Sequence, residues 1–264
     1  MDWFGIVKAC LAVGVTGLII GILLGFASRI FAVKTDEREE KIREILPGNN
    51  CGGCGYAGCD SLASAIAKGE AKVNGCPVGG EAVAKAIGAI MGTSAETVRM
   101  TAYVKCSGDC DHTGSKYEYS GNNSCREAVK AGGGGPKSCD YGCMGFGSCV
   151  SVCDFDAIHI INGVAVVDMD KCTACTRCVK ECPKNLIDII PYGSSYAVAC
   201  NSNDKGGDVK KVCTSGCIGC TLCTRDCPTD AVKVENSLAV IDQTICCGCG
   251  LCADKCPQKV IKEL

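Results

Sequence analysis

Twenty of the 27 cysteines in this 264-residue chain fall into five quartets whose spacing suits iron. Two quartets read C-x-x-C-x-x-C-x-x-x-C-P: Cys217, Cys220, Cys223 and Cys227 before Pro228, and Cys246, Cys249, Cys252 and Cys256 before Pro257. A third, Cys172, Cys175, Cys178 and Cys182 before Pro183, follows the same rule. Iron in a four-iron, four-sulfide cluster is tetrahedral and takes one thiolate per iron. Three closely spaced cysteines clasp one face of such a cube. The fourth must come from elsewhere, because the same tight loop does not reach the far corner. The chemistry implied is one-electron transfer, which needs no acid, base or nucleophile. The protein sets each potential through hydrogen bonds to sulfur, burial and charge. Zinc quartets come instead as separated CxxC pairs.

In two-cluster ferredoxins the fourth cysteine of each run serves the other cluster. Applied here, Cys217, Cys220, Cys223 and Cys256 hold one cluster, and Cys246, Cys249, Cys252 and Cys227 hold its neighbour. A looser run lies upstream, Cys139-x3-Cys143-x5-Cys149-x3-Cys153, with no proline after it. The same sharing assigns Cys139, Cys143, Cys149 and Cys182 to one cluster and Cys172, Cys175, Cys178 and Cys153 to the other. The fifth quartet is Cys51, Cys54, Cys59 and Cys76. Its glycine-rich loop lets backbone wrap a cluster and point N–H groups at sulfur. Seven cysteines remain. Cys10 and Cys247 read as bystanders. Cys106, Cys110 and Cys125, with Cys200 or Cys213 as fourth ligand, make a sixth candidate set; the competing reading is free buried thiols, since the spacing fits no known run. His112 and His159, the only histidines, are expected to be surface or turn residues.

The elements that must position these cysteines follow from composition. Aromatic residues make up only 5% of the chain, so small modules here need metal or disulfide staples. From Ala9 to Ser28 there are twenty residues without a charge, enough to span a hydrocarbon core and longer than a signal-peptide core. Arg29, Lys34, Arg38, Lys41 and Arg43 follow this span and Lys8 alone precedes it, which places the rest of the chain in the cytoplasm. Reducing conditions there keep thiols free for iron. Gly17, Gly21 and Gly25 form a small-residue face suited to docking other membrane helices.

The expected architecture is α+β: a membrane anchor (1–33), a charged linker helix (34–46) capped by Thr35 or Asp36 and acting as a solvated spacer, a small helical [4Fe–4S] module (47–92), a cysteine-containing connector (93–138), and two tandem ferredoxin-like modules (139–195 and 196–264). Each ferredoxin-like module carries a candidate hairpin between its cysteine runs. One turns at Asn162-Gly163, a type I′ signal; the other turns at Glu235-Asn236-Ser237. Gly132–Gly135 is not a phosphate loop, because proline stands where the glycine before the lysine is required. No GxGxxG follows a strand, so neither nicotinamide nor flavin is expected on this chain. The net charge of −2 gives no nucleic-acid signal.

An apolar span, then LPGNNCGGCGYAGCDSLASAIAKGEAKVNGCPVGG (residues 46–80), then ferredoxin repeats, resembles the B subunit of the Rnf (Rsx) ion-translocating oxidoreductase complex, in its longer clostridial-type form. The resemblance covers essentially the whole chain. It implies an electron-transfer subunit of a translocase; the cysteine spacing read above gives it five [4Fe–4S] clusters, or six with the leftover set. It implies soluble ferredoxin as electron donor, membrane and NAD-binding subunits as partners, and clusters on the cytoplasmic side of the cell membrane. It also implies coupling of electron flow from ferredoxin to NAD with Na+ or H+ translocation, although one span without a carboxylate is not itself an ion path. An acidic ferredoxin would dock on Lys205, Lys210, Lys211 and Arg225, or on Lys130, Lys137, Lys180 and Lys184. The alternative is a polyferredoxin subunit of a membrane hydrogenase or heterodisulfide-type reductase that does not pump; a third reading is a scaffold in which the metal is only a staple.

Overall fold

The computed structural model describes residues 3–30, 36–93 and 98–264. Helix α1 (Trp3–Ile30) is 28 residues long, about 42 Å at the α-helical rise. Leu18, Ile19, Ile22, Leu23, Leu24 and Phe26 all stand exposed on it. Its side chains are described without a break only from Val13 to Phe26, and among the described residues no helix is long and apolar enough to cross a membrane. Ala9, Cys10, Ala12, Ala27 and Ser28 of the expected span lie outside the described side chains.

Three helices build the first cysteine module: α2 (Glu37–Ile45), α3 (Cys59–Ala67) and α4 (Gly80–Met91). Asp36 starts α2 by accepting the Arg38 N–H at 2.9 Å, and Glu37, Glu39 and Glu40 follow in the first turn, where the helix dipole favours acids. The Arg38 guanidinium bonded to Asp36 holds that carboxyl down at about 2. Gly92, at φ +66°, closes α4 in the left-handed conformation, the usual role of a glycine just past a helix. The expectation of a solvated spacer at 34–46 is corrected here. Ile42 and Leu46, four residues apart, are buried against Leu62, Ile66 and Ile87, so α2 is one wall of the module. Replacing Ile66, which is 0% exposed, with alanine is expected to destabilise this module by about 2–5 kcal/mol. A lower denaturation midpoint by circular dichroism checks it.

Residues 100–264 hold four two-stranded antiparallel sheets. Two are the expected hairpins. Strand β2 (Ile158–Ile161) pairs with β3 (Val164–Val167), Ile161 opposite Val164. Asn162 and Gly163 between them both have positive φ, as a type I′ turn requires. Strand β6 (Val232–Glu235) pairs with β7 (Leu238–Ile241). There Glu235 sits in the ladder opposite Leu238, so the turn is Asn236-Ser237 alone.

The other two sheets join distant segments. Strand β1 (Met100–Val104) pairs with β4 (Ile187–Pro191), and β5 (Tyr196–Val198) with β8 (Ile261–Glu263). Strand β1 lies in the stretch expected to be an irregular connector; it is the outer strand of the first ferredoxin-like module. Each module thus carries an outer strand pair and an inner hairpin. The first packs Val104, Ile158, Val164 and Ile187 together, the second Val198, Val232, Val260 and Ile261. The loop after the leading cysteine tucks under the hairpin turn in both. A Cβ on Gly145 (φ +75°) would stand 2.6 Å from the Gly163 carbonyl oxygen, and one on Gly219 (φ +62°) 2.8 Å from that of Ser237. Only glycine fits there.

Candidate iron–sulfur centres

Four hollows among residues 100–264 are each walled by four cysteines, and they are close in size. Cys217, Cys220, Cys223 and Cys256 surround ≈ 330 Å³ of empty space, mouth included. Cys153, Cys172, Cys175 and Cys178 surround ≈ 370 Å³. Cys125, Cys143, Cys149 and Cys182 surround ≈ 380 Å³, and Cys106, Cys139, Cys200 and Cys213 ≈ 350 Å³. The first two sets are those that crosswise sharing assigns. For the run at Cys246, Cys249 and Cys252, the thiols of Cys246 and Cys227 both act electrostatically on Cys252. In the N-terminal module Cys59 and Cys54 act in the same way on Cys76, while Cys51 lies within reach of Cys175.

One expected set is not brought together. Cys139 does not share a hollow with Cys143, Cys149 and Cys182; Cys125 takes that place. Cys125 opens helix α5 (Cys125–Lys130) and its N–H bonds to Ser148 Oγ at 2.9 Å, which holds it beside Cys149. Cys139 instead faces the second module. The expected sixth group loses two members accordingly: Cys125 to the hollow above, and Cys110 to the surface, where its N–H bonds to the Asn162 carbonyl at 3.0 Å. Cys247 is exposed as well. His112 and His159 pair at the surface with Asp109 and Asp156.

The local chain explains the crosswise geometry. Short helices α6 (Ser148–Ser151), α7 (Arg177–Glu181), α9 (Leu222–Arg225) and α10 (Leu251–Asp254) carry Cys149, Cys178, Cys223 and Cys252. Each follows a left-handed residue: Gly147, Thr176, Thr221 or Gly250. That kink turns the third cysteine toward its own loop. The fourth cysteine comes after the helix has carried the chain away, and so reaches the neighbouring hollow. Between α7 and α9, helix α8 (Gly206–Val212) covers the space beside Cys213.

The surroundings fit a sulfide-bearing cluster. Backbone N–H groups point at sulfur: Ala102 to Cys172 at 3.3 Å, Leu186 to Cys182 at 3.4 Å and Ala239 to Cys217 at 3.4 Å. Thr173 and Thr176 hydroxyls line the Cys153 hollow and Lys184 Nζ the Cys125 hollow, each buried without a protein partner. Inorganic sulfide would accept from all three. Among the described residues no group of three or more His, Cys, Asp or Glu side chains is drawn together on a single metal ion. Burial pushes the Cys149 and Cys178 thiols up to about 12, with neighbouring cysteines adding to it. Iron insertion must therefore expel a proton from each.

The two lysine groups differ. Lys205, Lys210, Lys211 and Arg225 are exposed. In the other group Lys137 is only 8% exposed, Lys184 is buried at its tip, and Lys180 donates to the Gly52 carbonyl at 3.2 Å. Lys130 and Lys180 of that group remain exposed.

Comparison with known proteins bears on the same segments. Residues 46–78 match the family described as "Putative Fe-S cluster", residues 164–187 a 4Fe-4S binding domain, and residues 216–261 a 4Fe-4S dicluster domain. The B subunit of the Na(+)-translocating ferredoxin:NAD(+) oxidoreductase complex of Acetobacterium woodii is 48% identical over 231 residues, 87% of this chain and 69% of that one. This chain belongs to the B-subunit family of Rnf complexes. The proton-translocating counterpart from Clostridium ljungdahlii is 42% identical, covering 88% of this chain and 82% of its own. The B subunit of the ion-translocating oxidoreductase complex of Methanosarcina acetivorans is 39% identical and covers 86% of each. Membership of the Rnf family agrees with the order of the modules here: the family-matched cysteine loop first, the dicluster segment last.

Proposed function

We propose that this Rnf-type subunit is the membrane-anchored electron carrier of an ion-translocating ferredoxin:NAD oxidoreductase, taking electrons from reduced soluble ferredoxin and passing them to other subunits of the complex. The observation that carries the reading is the set of similar-sized hollows, each walled by four thiols that no single run supplies. The clusters supply one-electron redox chemistry. The chain's own residues hold them: Cys51, Cys54, Cys59 and Cys76; Cys125, Cys143, Cys149 and Cys182; Cys153, Cys172, Cys175 and Cys178; Cys217, Cys220, Cys223 and Cys256; and Cys227, Cys246, Cys249 and Cys252. Backbone N–H groups, the Thr173 and Thr176 hydroxyls and the buried Lys184 ammonium favour the more negative, reduced state and so raise the potential. Anaerobic purification should give at least about 20 irons and as many sulfides per chain, with visible absorbance bleached reversibly by dithionite. Several zinc ions and little iron would overturn the reading.

Helix α1 supports an anchor through its exposed apolar side chains, and Gly17, Gly21 and Gly25 leave open space beside it for another membrane helix. The basic residues after the span support a cytoplasmic position for the modules. Carbonate-resistant membrane association that is lost on removal of residues 1–33 tests the anchor. Soluble ferredoxin would meet the exposed Lys205, Lys210 and Lys211 at the ends of α8. Reversing Lys205 and Lys210 to glutamate is expected to slow reduction by ferredoxin about 10-fold or more at low ionic strength, with the gap closing as salt rises. A rate indifferent to both charge and salt would place the docking site elsewhere.

A further inference from the structure

We propose that a sixth [4Fe–4S] cluster lies between the two ferredoxin-like modules, held by Cys106 and Cys139 of the first and by the corresponding Cys200 and Cys213 of the second. The inference rests on the cluster reading above and adds a site that no matched family segment contains.

The internal repeat pairs these four residues. Val104-Lys105-Cys106 ends the outer strand of the first module and Val198-Ala199-Cys200 that of the second. The residue between strand and cysteine is bound alike in both: Lys105 N–H to the Leu186 carbonyl at 2.7 Å, Ala199 N–H to the Val260 carbonyl at 2.8 Å. The other two ligands head matching segments, Cys139-Asp-Tyr-Gly-Cys143 and Cys213-Thr-Ser-Gly-Cys217. Each module thus offers one cysteine after its outer strand and one before its first loop, and the two offers meet in a single hollow.

The hollow is dressed as the other sites are. Cys106 Sγ accepts the N–H of Cys143 at 3.4 Å, and Cys200 Sγ accepts that of Cys217 at 3.3 Å. These donors are the leading cysteines of the two flanking quartets, so the sixth quartet touches both. Ser202 N–H adds a bond to Cys200 at 3.5 Å. A Cβ on Gly108 would stand 3.2 Å from Cys213 Sγ and 3.8 Å from Cys106 Sγ, so the backbone closes directly over two of the ligands. The Tyr103 hydroxyl, buried without a partner, lies within the electrostatic reach of Cys106. No carboxylate lines the hollow, which suits an anionic cluster; Lys105, which does line it, is paired with Asp188 at 2.9 Å.

The site also joins the modules mechanically. Ser107 N–H bonds to the Ala199 carbonyl at 3.0 Å, Ser107 Oγ to Ser215 Oγ at 3.2 Å, and Tyr103 packs on Ala197 and Ala199. With this quartet in place the six sets form one unbroken series. The N-terminal set meets Cys175 of the first module through Cys51. Cys178 and Cys149 bring the two sets of that module together. The sixth set then leads to Cys217 and so to the last two.

The test is a count on the full chain purified without oxygen. About 24 irons and as many sulfides per chain are expected, and the double variant C106S/C200S should lose about four of each while C110A loses none. About 20 irons in the unaltered chain, with or without one zinc, would overturn the sixth site and leave the five-cluster reading standing; a chain without iron would remove both. An unchanged count in C106S/C200S would likewise overturn it. Should that variant shed all its iron through misfolding, the count on the unaltered chain decides.

Discussion

Stripping the iron from the purified chain is expected to unfold residues 100–264, with loss of the strand signal and of dispersed amide resonances in step with the visible absorbance. In the second module five of the ten buried core residues are cysteines; the rest are Val198, Val232, Ala239, Val260 and Ile261. Burying a Val or Ile side chain contributes about 1.5–3 kcal/mol, whereas ordering each backbone residue costs about 1–2 kcal/mol. Five small aliphatics do not offset that for a segment of this length. The sheets give little help, since each is a single pair of strands at most five residues long, and isolated two-stranded sheets are marginal in water. Cluster binding must supply the difference, as structural metals do in small domains that are unfolded without them. The helical signal should partly survive, because α1 to α4 owe less to cysteine: Ile42, Leu62, Ile66 and Ile87 fill the N-terminal core. Dispersed amide signals from β6 and β7 in the iron-free chain would show that the aliphatic core suffices, and would sink the claim.

What the sequence made legible was whatever short spacing determines. The crosswise sets at Cys217 and at Cys172 follow from three cysteines in seven residues and a fourth beyond a short helix. The turn at Asn162-Gly163 follows from two residues that tolerate positive φ. The misplaced ligands depended on distance instead. Cys139 stands next to Cys143 in the order of cysteines, which suggests the two as partners, yet the backbone carries it into the gap between modules and leaves Cys125 beside Cys149. A signal was present: Cys-x-x-Gly-Cys occurs at Cys139 and again at Cys213, and aligning the two removes Cys139 from the first quartet. Strands β1 and β5 were hidden for a related reason. They pair with β4 and β8 across an entire module, and nothing local marks such a register. Helix α2 was legible, but its buried face was masked by its charge, although Ile42 and Leu46 stand four apart. Lys137 and Lys184 read as surface residues by type, and only packing shows that one is buried and the other buried at its tip.

Replacing Cys256 with alanine is expected to destroy the cluster of the preceding run and spare that of its own. Cys256 is 7% exposed and walls the hollow of Cys217, Cys220 and Cys223 together with Pro257 and Val260. Cys252, only four residues earlier, lies with Cys246 and Cys227. Helix α10 separates the two thiols and sends them to opposite sides. Single variants alone are ambiguous, because any lost ligand lowers the iron count. Pairs resolve it, since ligands of one cluster act as a unit and ligands of different clusters add. C256A/C217A should lose about four irons, no more than C256A alone, whereas C256A/C246A should lose about eight. The mirror pairs should behave alike: C227A/C246A non-additive, C227A/C217A additive. If the two patterns were reversed, each run would be keeping its own fourth cysteine, and helix α10 would have to unwind for Cys256 to turn back toward Cys249. With sharing, neither run can close its cluster until the other has folded against it. The two clusters of a module should therefore load together, and iron titration of the stripped chain should fill Cys217–Cys223 and Cys246–Cys252 in one step rather than two.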